Sequence, residues 1–287
     1  MTDLSRLVAD ELNTSVTNQV SEIAAAIAAK HGGASRAVLF YGSCLREQQL
    51  DGLMLDFYLI VSDYAAAFDR HWLATANRLI PPNVFPFAYR NLGSKYAVLS
   101  EADFARLCGP HAYTVSVWAR FAQPSRLVWT ADPDARAAAI AAISRAAPTL
   151  LGLARPMVDG SPLDVWRRGF ELTYASELRA ESSARPGAVV DADPDRYTRF
   201  ADAIPVVAVS RKETARRWTS LRRRGKLMSV LRLAKATATF AGGIDYLAWK
   251  INRHAGTAIT VKPWQRRFPI LGGVSLLPRL LRNGAVR

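Results

Sequence analysis

Tyr41-Gly42-Ser43, followed by Met54-Leu55-Asp56-Phe57 and Leu59-Ile60-Val61, is the stretch that decides the fold. Ala37 to Tyr41 is an apolar run that reads as a strand, and the Gly-Ser pair after it reads as a turn. A short polar segment follows, then a second apolar run from 54 to 61 that carries one acid, Asp56. A Gly-Ser turn at the end of a strand lets backbone N–H groups and a hydroxyl approach a phosphate closely. An acid on the neighbouring strand can hold Mg2+ against that same phosphate. The same residues also fit an ordinary turn between two core strands, so the pattern alone leaves both readings open. Position 58 shares a side of the strand with Asp56, because strand side chains alternate with period two, and it is Tyr58 rather than a second acid. Asp51 and Asp63 lie nearby at spacings that do not replace it.

This layout resembles the nucleotidyltransferase superfamily, with its apolar-Gly-Gly/Ser turn and, about a dozen residues on, its Asp-apolar-Asp/Glu strand. Together with Gln48 or Gln49 and Val61-Ser62-Asp63, it is similar to the mitochondrial-type CDP-diacylglycerol synthases, which are peripheral phosphatidate cytidylyltransferases. Lys95-Tyr96-Ala97-Val98-Leu99-Ser100 is similar to that family's Lys-Tyr-Gly-Val-Ile-Ser strand. Trp118-Ala119-Arg120-Phe121-Ala122-Gln123-Pro124 is similar to its aliphatic-Ala-Gly-Arg-Leu-Gln-Lys-Pro segment, and Phe240-Ala241-Gly242-Gly243-Ile244 is a weaker echo. The three main blocks keep the family's order across roughly residues 37 to 130. The chain departs from it at Cys44 and Ala119, both in place of Gly, at the reversed pair His71-Trp72, and near Asn83, the nearest candidate for an Asn-His-Tyr-Ser block.

The resemblance implies an α+β fold: an N-terminal nucleotidyltransferase-type mixed sheet flanked by helices, a helical domain, and a basic amphipathic C-terminal tail. It implies transfer of a cytidylyl group from CTP to phosphatidic acid, giving CDP-diacylglycerol and pyrophosphate, with Mg2+ as cofactor. Gly42, Ser43 and Arg120 would hold the nucleotide, Asp56 would bind the metal, and Lys95 would act with Asp56 at the reacting phosphates. Two other readings stand beside it. One is a nucleotidyltransferase for another phosphorylated lipid or an RNA end. The other is a non-catalytic membrane or nucleic-acid adaptor on the same fold. Tyr58 in place of an acid weighs against hydroxyl acceptors, which need a general base.

Charge placement is the second clue. The 287 residues carry a net charge of +14. From Ser210 onward there are 18 Lys and Arg against two acids, Glu213 and Asp245, so the preceding part is slightly acidic. Such a C-terminal part suits a polyanion. In the tail, Trp264, Phe268 and several leucines mix with Arg266, Arg267, Arg279 and Arg282, the composition of an interfacial membrane segment. An anionic membrane surface is therefore the expected partner and nucleic acid is not; oligomeric state is left open. Asp3, Asp10 and Glu11 precede any apolar run, so no signal peptide is expected. Nor is a transmembrane helix, which places the chain in the cytoplasm, peripheral to the inner face of the membrane. Cys44 and Cys108 give neither a disulfide framework nor a metal cluster, and His71, His111 and His254 are too scattered for zinc. Cys44 reads as a small packed residue.

Three regions are expected: a nucleotidyltransferase domain over 1–155, a helical domain over 156–240, and a membrane-associating segment over 241–287. The periodic Leu4, Val8, Leu12, Val16, Val20, Ile23 and Ile27 predict one helix to Lys30. Further helices are expected over 64–79, after Ser100, over 135–153 with a break near Pro148, from Ser161 to about 180, from Ser210, over 226–240 and over 244–253, with short strands at 95–99 and 126–130. Residues 182–195 read as a loop or linker. Asp132-Pro133-Asp134 reads as a helix start rather than a metal site.

Overall fold

The computed structural model describes residues 2–46, 50, 53–177, 187–239 and 260–267. Its centre is a five-stranded mixed sheet: β1 (Ser35–Tyr41), β2 (Met54–Val61), β3 (Asn83–Tyr89), β4 (Leu92–Ser100) and β5 (Ser125–Thr130). The spatial order is β3-β4-β2-β1-β5. β1 pairs antiparallel with β2 and β5, β3 pairs antiparallel with β4, and β2 and β4 run parallel. The chain therefore has the α+β architecture expected of it. β3 has no counterpart among the expected strands. Its Pro86 fits an edge strand, where a missing N–H costs no ladder bond.

Each strand sends alternate residues to two cores. Val38, Phe40, Leu55, Phe57, Leu59, Tyr96 and Val98 pack on one face. Ala37, Leu39, Tyr58, Ile60, Ala97 and Leu99 pack on the other. The expected N-terminal helix is instead two, α1 (Asp3–Leu12) and α2 (Asn18–Lys30). The hydrophobic stripe is continuous in sequence, but Leu4, Val8 and Leu12 join the second core while Val20, Ile23 and Ile27 join the first. A straight helix cannot cover both faces of a sheet, and Asn13-Thr14-Ser15-Val16-Thr17 holds residues that favour caps and turns over helix interiors.

α3 (Tyr64–Ala67) and α4 (His71–Leu79) divide the expected 64–79 helix and lie in the crossover from β2 to β4. α5 (Glu101–Cys108) starts at Ser100, whose hydroxyl accepts from the Asp103 N–H at 3.2 Å. α6 (Trp118–Phe121) precedes β5. α7 (Pro133–Ile143) is capped by Asp132, which accepts from the Ala135 N–H at 2.7 Å and pairs with Arg36 at 2.5 Å. α8 (Ala146–Ala154) takes Pro148 in its first turn, so the Ala-rich run breaks just ahead of the proline. Pro133–Met157 is, among the described residues, long and apolar enough to cross a bilayer, but it is broken in this way and half of it is buried within the fold.

α9 (Pro162–Tyr174) opens with a reciprocal cap between Ser161 and Asp164. Part of the expected 182–195 loop is helical: α10 (Ala188–Asp191) and then α11 (Pro194–Asp202), capped by Asp193. Helices after residue 155 share a core with the sheet: Trp166, Phe170, Tyr197, Phe200, Trp218 and Leu221 pack in the same cluster as Leu39, Tyr58 and Trp118. α12 (Arg211–Thr239) is one 29-residue helix where two were expected. Gly225 does not break it; a Cβ there would overlap the Ser176 carbonyl oxygen, so glycine lets α12 touch the chain just after α9. α13 (Pro263–Arg267) is the last described element. The helix expected over 244–253 lies outside the described residues.

Candidate functional site

β1 ends where β2 and β4 begin, and the residues singled out in the sequence gather there. Asp56 lies on the Tyr58 and Ile60 face of the sheet by the period-two alternation of the strand. In the parallel register Asp56 stands beside Lys95, and Lys95 Nζ lies 3.1 Å from Asp56 Oδ1. In the antiparallel register Asp56 stands beside Tyr41. Gly42 follows with φ +97°, a conformation that favours glycine, and a Cβ there would lie 3.3 Å from Asp56 Oδ2. The glycine therefore lets the chain turn directly against the carboxylate.

A cavity of about 360 Å3 opens over this corner, lined by Asp56, Lys95 and Tyr58 from the sheet and by Arg120 from α6. Arg120 donates to the Ser116 carbonyl, and its Nη1 lies 3.7 Å from Glu177 Oε1. Burial opposes the Arg120 charge, but neighbouring groups, led by the Glu177 carboxylate and including Asp56, more than offset it and raise its pKa. Tyr58 is 2% exposed, with its ring 5.3 Å from Tyr41 and 5.2 Å from Phe121. Burial raises the pKa of both Tyr41 and Tyr58, so both phenols stay neutral at physiological pH. The position of the absent second acid is thus filled by a packed, uncharged aromatic.

Two lining residues escape sequence reasoning. Arg232 and Lys235, three apart on α12, close the cavity. Arg232 Nε donates to the Pro81 carbonyl at 2.7 Å; Lys235 Nζ donates to Pro82 at 2.8 Å and also to Ile80. Burial lowers the pKa of Arg232, and burial with Arg232 beside it pushes Lys235 down to about 7. Their only sequence signal is two cations set among Leu231, Leu233, Ala234 and Ala236, an apolar setting that a solvated face would not have.

Asp56, Lys95 and Arg120 therefore meet, and Gly42 abuts Asp56. Ser43 is exposed in the turn after β1 and does not line the cavity. Trp264 and Arg266 lie exposed on α13, far along the sequence from this corner, and Arg267 closes that helix. Phe268, Arg279 and Arg282 lie outside the described residues. Of the two cysteines, Cys44 is packed and buried as expected, and Cys108 is buried as well. His31, between Ala67 O at 2.9 Å and the Tyr96 hydroxyl at 3.1 Å, is a half-buried packing residue.

A divalent cation at this corner would rest on Asp56 together with the phosphate oxygens of a ligand, not on a cage of protein ligands. Asp56 is one carboxylate already held by an ammonium, and among the described residues no group of three or more His, Cys, Asp or Glu could hold a metal ion.

The chain is similar to a nucleotidyltransferase-like protein from Exiguobacterium sibiricum 255-15 of solved structure, over 92% of each chain, at 12% identity and a TM-score of 0.28. A likeness at that level carries no argument about reaction or substrate. No known family and no curated protein matches the chain.

Proposed function

We propose that the chain is a nucleotidyltransferase whose acceptor is a phosphate monoester, and that the pair it uses is CTP and phosphatidic acid. The observation that carries this reading is the corner itself: Asp56, Lys95 and Arg120 converge on one cavity beside the Gly42 turn, with neutral Tyr58 where a second acid would stand. A hydroxyl acceptor needs a base to remove its proton. A phosphate monoester has a second pKa of about 6 and is already a dianionic nucleophile at neutral pH. A site with one carboxylate and several cations suits the second kind of acceptor.

In the proposed reaction a lipid phosphate oxygen attacks the α-phosphorus of CTP, a P–O bond forms, and the bond to pyrophosphate breaks in line. Electrons leave with pyrophosphate, and no proton need be transferred. Lys95 and Arg120 neutralise the charge that builds on the phosphate oxygens, Arg120 as a planar fork and Lys95 as a point charge. Magnesium enters as part of the magnesium–nucleotide substrate, and Asp56 is the carboxylate available to it. The choice of CTP and phosphatidate rests on the resemblance of the Gly-Ser, Lys-Tyr and Trp-Ala-Arg blocks; the choice of a phosphate acceptor rests on the cavity. Peripheral attachment to an anionic membrane, through the basic C-terminal part, belongs to the same proposal.

The test is to incubate the full chain with phosphatidate micelles, Mg2+ and each α-labelled nucleoside triphosphate in turn. Label in the lipid fraction with CTP is the expected result. Transfer from another nucleotide would correct the base. Binding of nucleotide with no transfer to any phosphate acceptor would favour the non-catalytic reading.

A further inference from the structure

We infer that Arg232 and Lys235, on the C-terminal half of α12, form a subsite for a phosphate dianion in the cavity over Asp56. The subsite lies in the cavity of the proposed reaction and depends on that reading only for which phosphate arrives there.

The cavity is strongly cationic. When Lys235 carries its proton, four cations, Lys95, Arg120, Arg232 and Lys235, line it. Two of them are matched: Lys95 by Asp56 at 3.1 Å and Arg120 by Glu177 at 3.7 Å. Arg232 and Lys235 have no carboxylate within ion-pair distance among the described residues; their partners are the carbonyls of Ile80, Pro81 and Pro82. Carbonyls supply hydrogen bonds but no neutralising charge. Glu177 favours the Arg232 charge from beyond ion-pair distance but is already paired with Arg120, so two cations held side by side out of water are under-matched among the described residues unless an anion enters between them.

Geometry points the same way. Arg232 spends Nε on the Pro81 carbonyl, while its Nη2 is buried with no hydrogen-bond partner among the described residues. Buried donors in native proteins are almost always matched, and an unmatched charged one signals a missing partner. Lys235, 6% exposed, lies one helical turn from Arg232 and lines the same cavity. A guanidinium edge beside an ammonium is a fitting recognition set for phosphate oxygens. A pure latch between α12 and the 80–82 segment would need neither two charges nor an open cavity in front of them. A bound dianion would raise the Lys235 pKa, which burial and Arg232 hold down.

The chemistry is shared by the polyphosphate of a nucleotide and the headgroup of a phosphatidate, so the test has two arms. Calorimetric titration of the full chain is done in EDTA with pyrophosphate and, separately, with dihexanoyl phosphatidate below its micelle concentration. Arg232→Gln and Lys235→Met should each weaken at least one of these anions about tenfold or more, as expected for a lost charge-assisted contact. The arm that weakens tells which phosphate the subsite takes. If Arg232→Gln fails to fold, Ala236→Leu narrows the cavity beside both cations while leaving them in place. Unchanged binding of both anions in the soluble variants overturns the inference. Nucleotidyl transfer is followed in parallel: weakened anion binding without any transfer in wild type would sink the proposed reaction and leave the subsite standing, whereas transfer with unchanged anion binding would do the reverse.

Discussion

Lys235 offers a measurement of the site that needs no ligand. The residue is 6% exposed, and its ammonium faces Arg232 and the carbonyls of Ile80 and Pro82. It titrates near 7 because burial first, and Arg232 second, disfavour its charge. In the unfolded chain a lysine titrates at about 10.4. Between those values the unfolded state binds more protons than the folded one, so stability must rise with pH. Lys235 therefore stabilises fully only above the unfolded value, and that contribution is lost as pH falls through the folded value. The slope approaches about 1.4 kcal/mol per pH unit once Lys235 is neutral in the native state, which gives roughly 2–3 kcal/mol between about pH 6 and pH 9.

Urea unfolding at half-unit steps over that range, on wild type and Lys235→Met, isolates this contribution, because every other group titrates in both. Wild type should gain those few kcal/mol relative to the variant as pH rises. Phosphate at saturating concentration should flatten the difference by holding the proton on Lys235. Parallel profiles without ligand would refute the reasoning, showing that the carbonyls of Ile80 and Pro82 keep the ammonium charged throughout.

Four further outcomes are expected. Asp56→Ala should abolish nucleotidyl transfer while changing unfolding free energy by no more than about 1 kcal/mol, because its pair with Lys95 is partly solvated; transfer assays beside urea melts separate the two. Gly42→Ala should cost about 1–3 kcal/mol from its positive φ and should displace the Asp56 carboxylate, seen as loss of stability together with loss of transfer. Gly225→Ala should destabilise by about 1–2 kcal/mol in urea melts despite alanine's better helix propensity, since its methyl would meet the Ser176 carbonyl. Tyr58→Asp should lose about 3 kcal/mol or more and gain no Mg2+ affinity by calorimetry, because it trades packed ring contacts for a buried carboxylate.

Most strands of the fold are legible in the sequence because their apolar runs are bounded by turn residues and their parity is visible: the period-two alternation alone sets Asp56 and Tyr58 on one face. The caps at Ser100, Asp132 and Ser161 are legible for the same local reason. Tertiary demands are not. A periodic stripe says that residues face a core, not which of two cores, and so α1 and α2 read as one helix. The helices expected from Ser210 and over 226–240 are one helix, and the reason for the glycine between them, Gly225, is a carbonyl far earlier in the chain that local propensity does not show. The site is half legible: Asp56, Lys95 and Arg120 stand in recognisable blocks, but Arg232 and Lys235 are ordinary helix cations until the fold lays them over Pro81 and Pro82.

That α12 supplies two of the four cations changes how the basic C-terminal part is understood. From the sequence, its charge belongs to a surface, to be met by an anionic membrane. The N-terminal half of α12 does carry exposed arginines, including Arg216, Arg222, Arg223 and Arg224. Farther along the same helix, the charges turn inward to the sheet. Gly225, where the helix touches Ser176, marks the passage, and beyond it the C-terminal half of the helix packs on β3 and the 80–82 segment. One continuous helix thus joins an exposed basic face to a buried basic cavity. On the proposed reading, the element that meets anionic lipid headgroups is the element that completes the site for a phosphate, so displacing α12 would empty the cavity of two charges and free the surface at once.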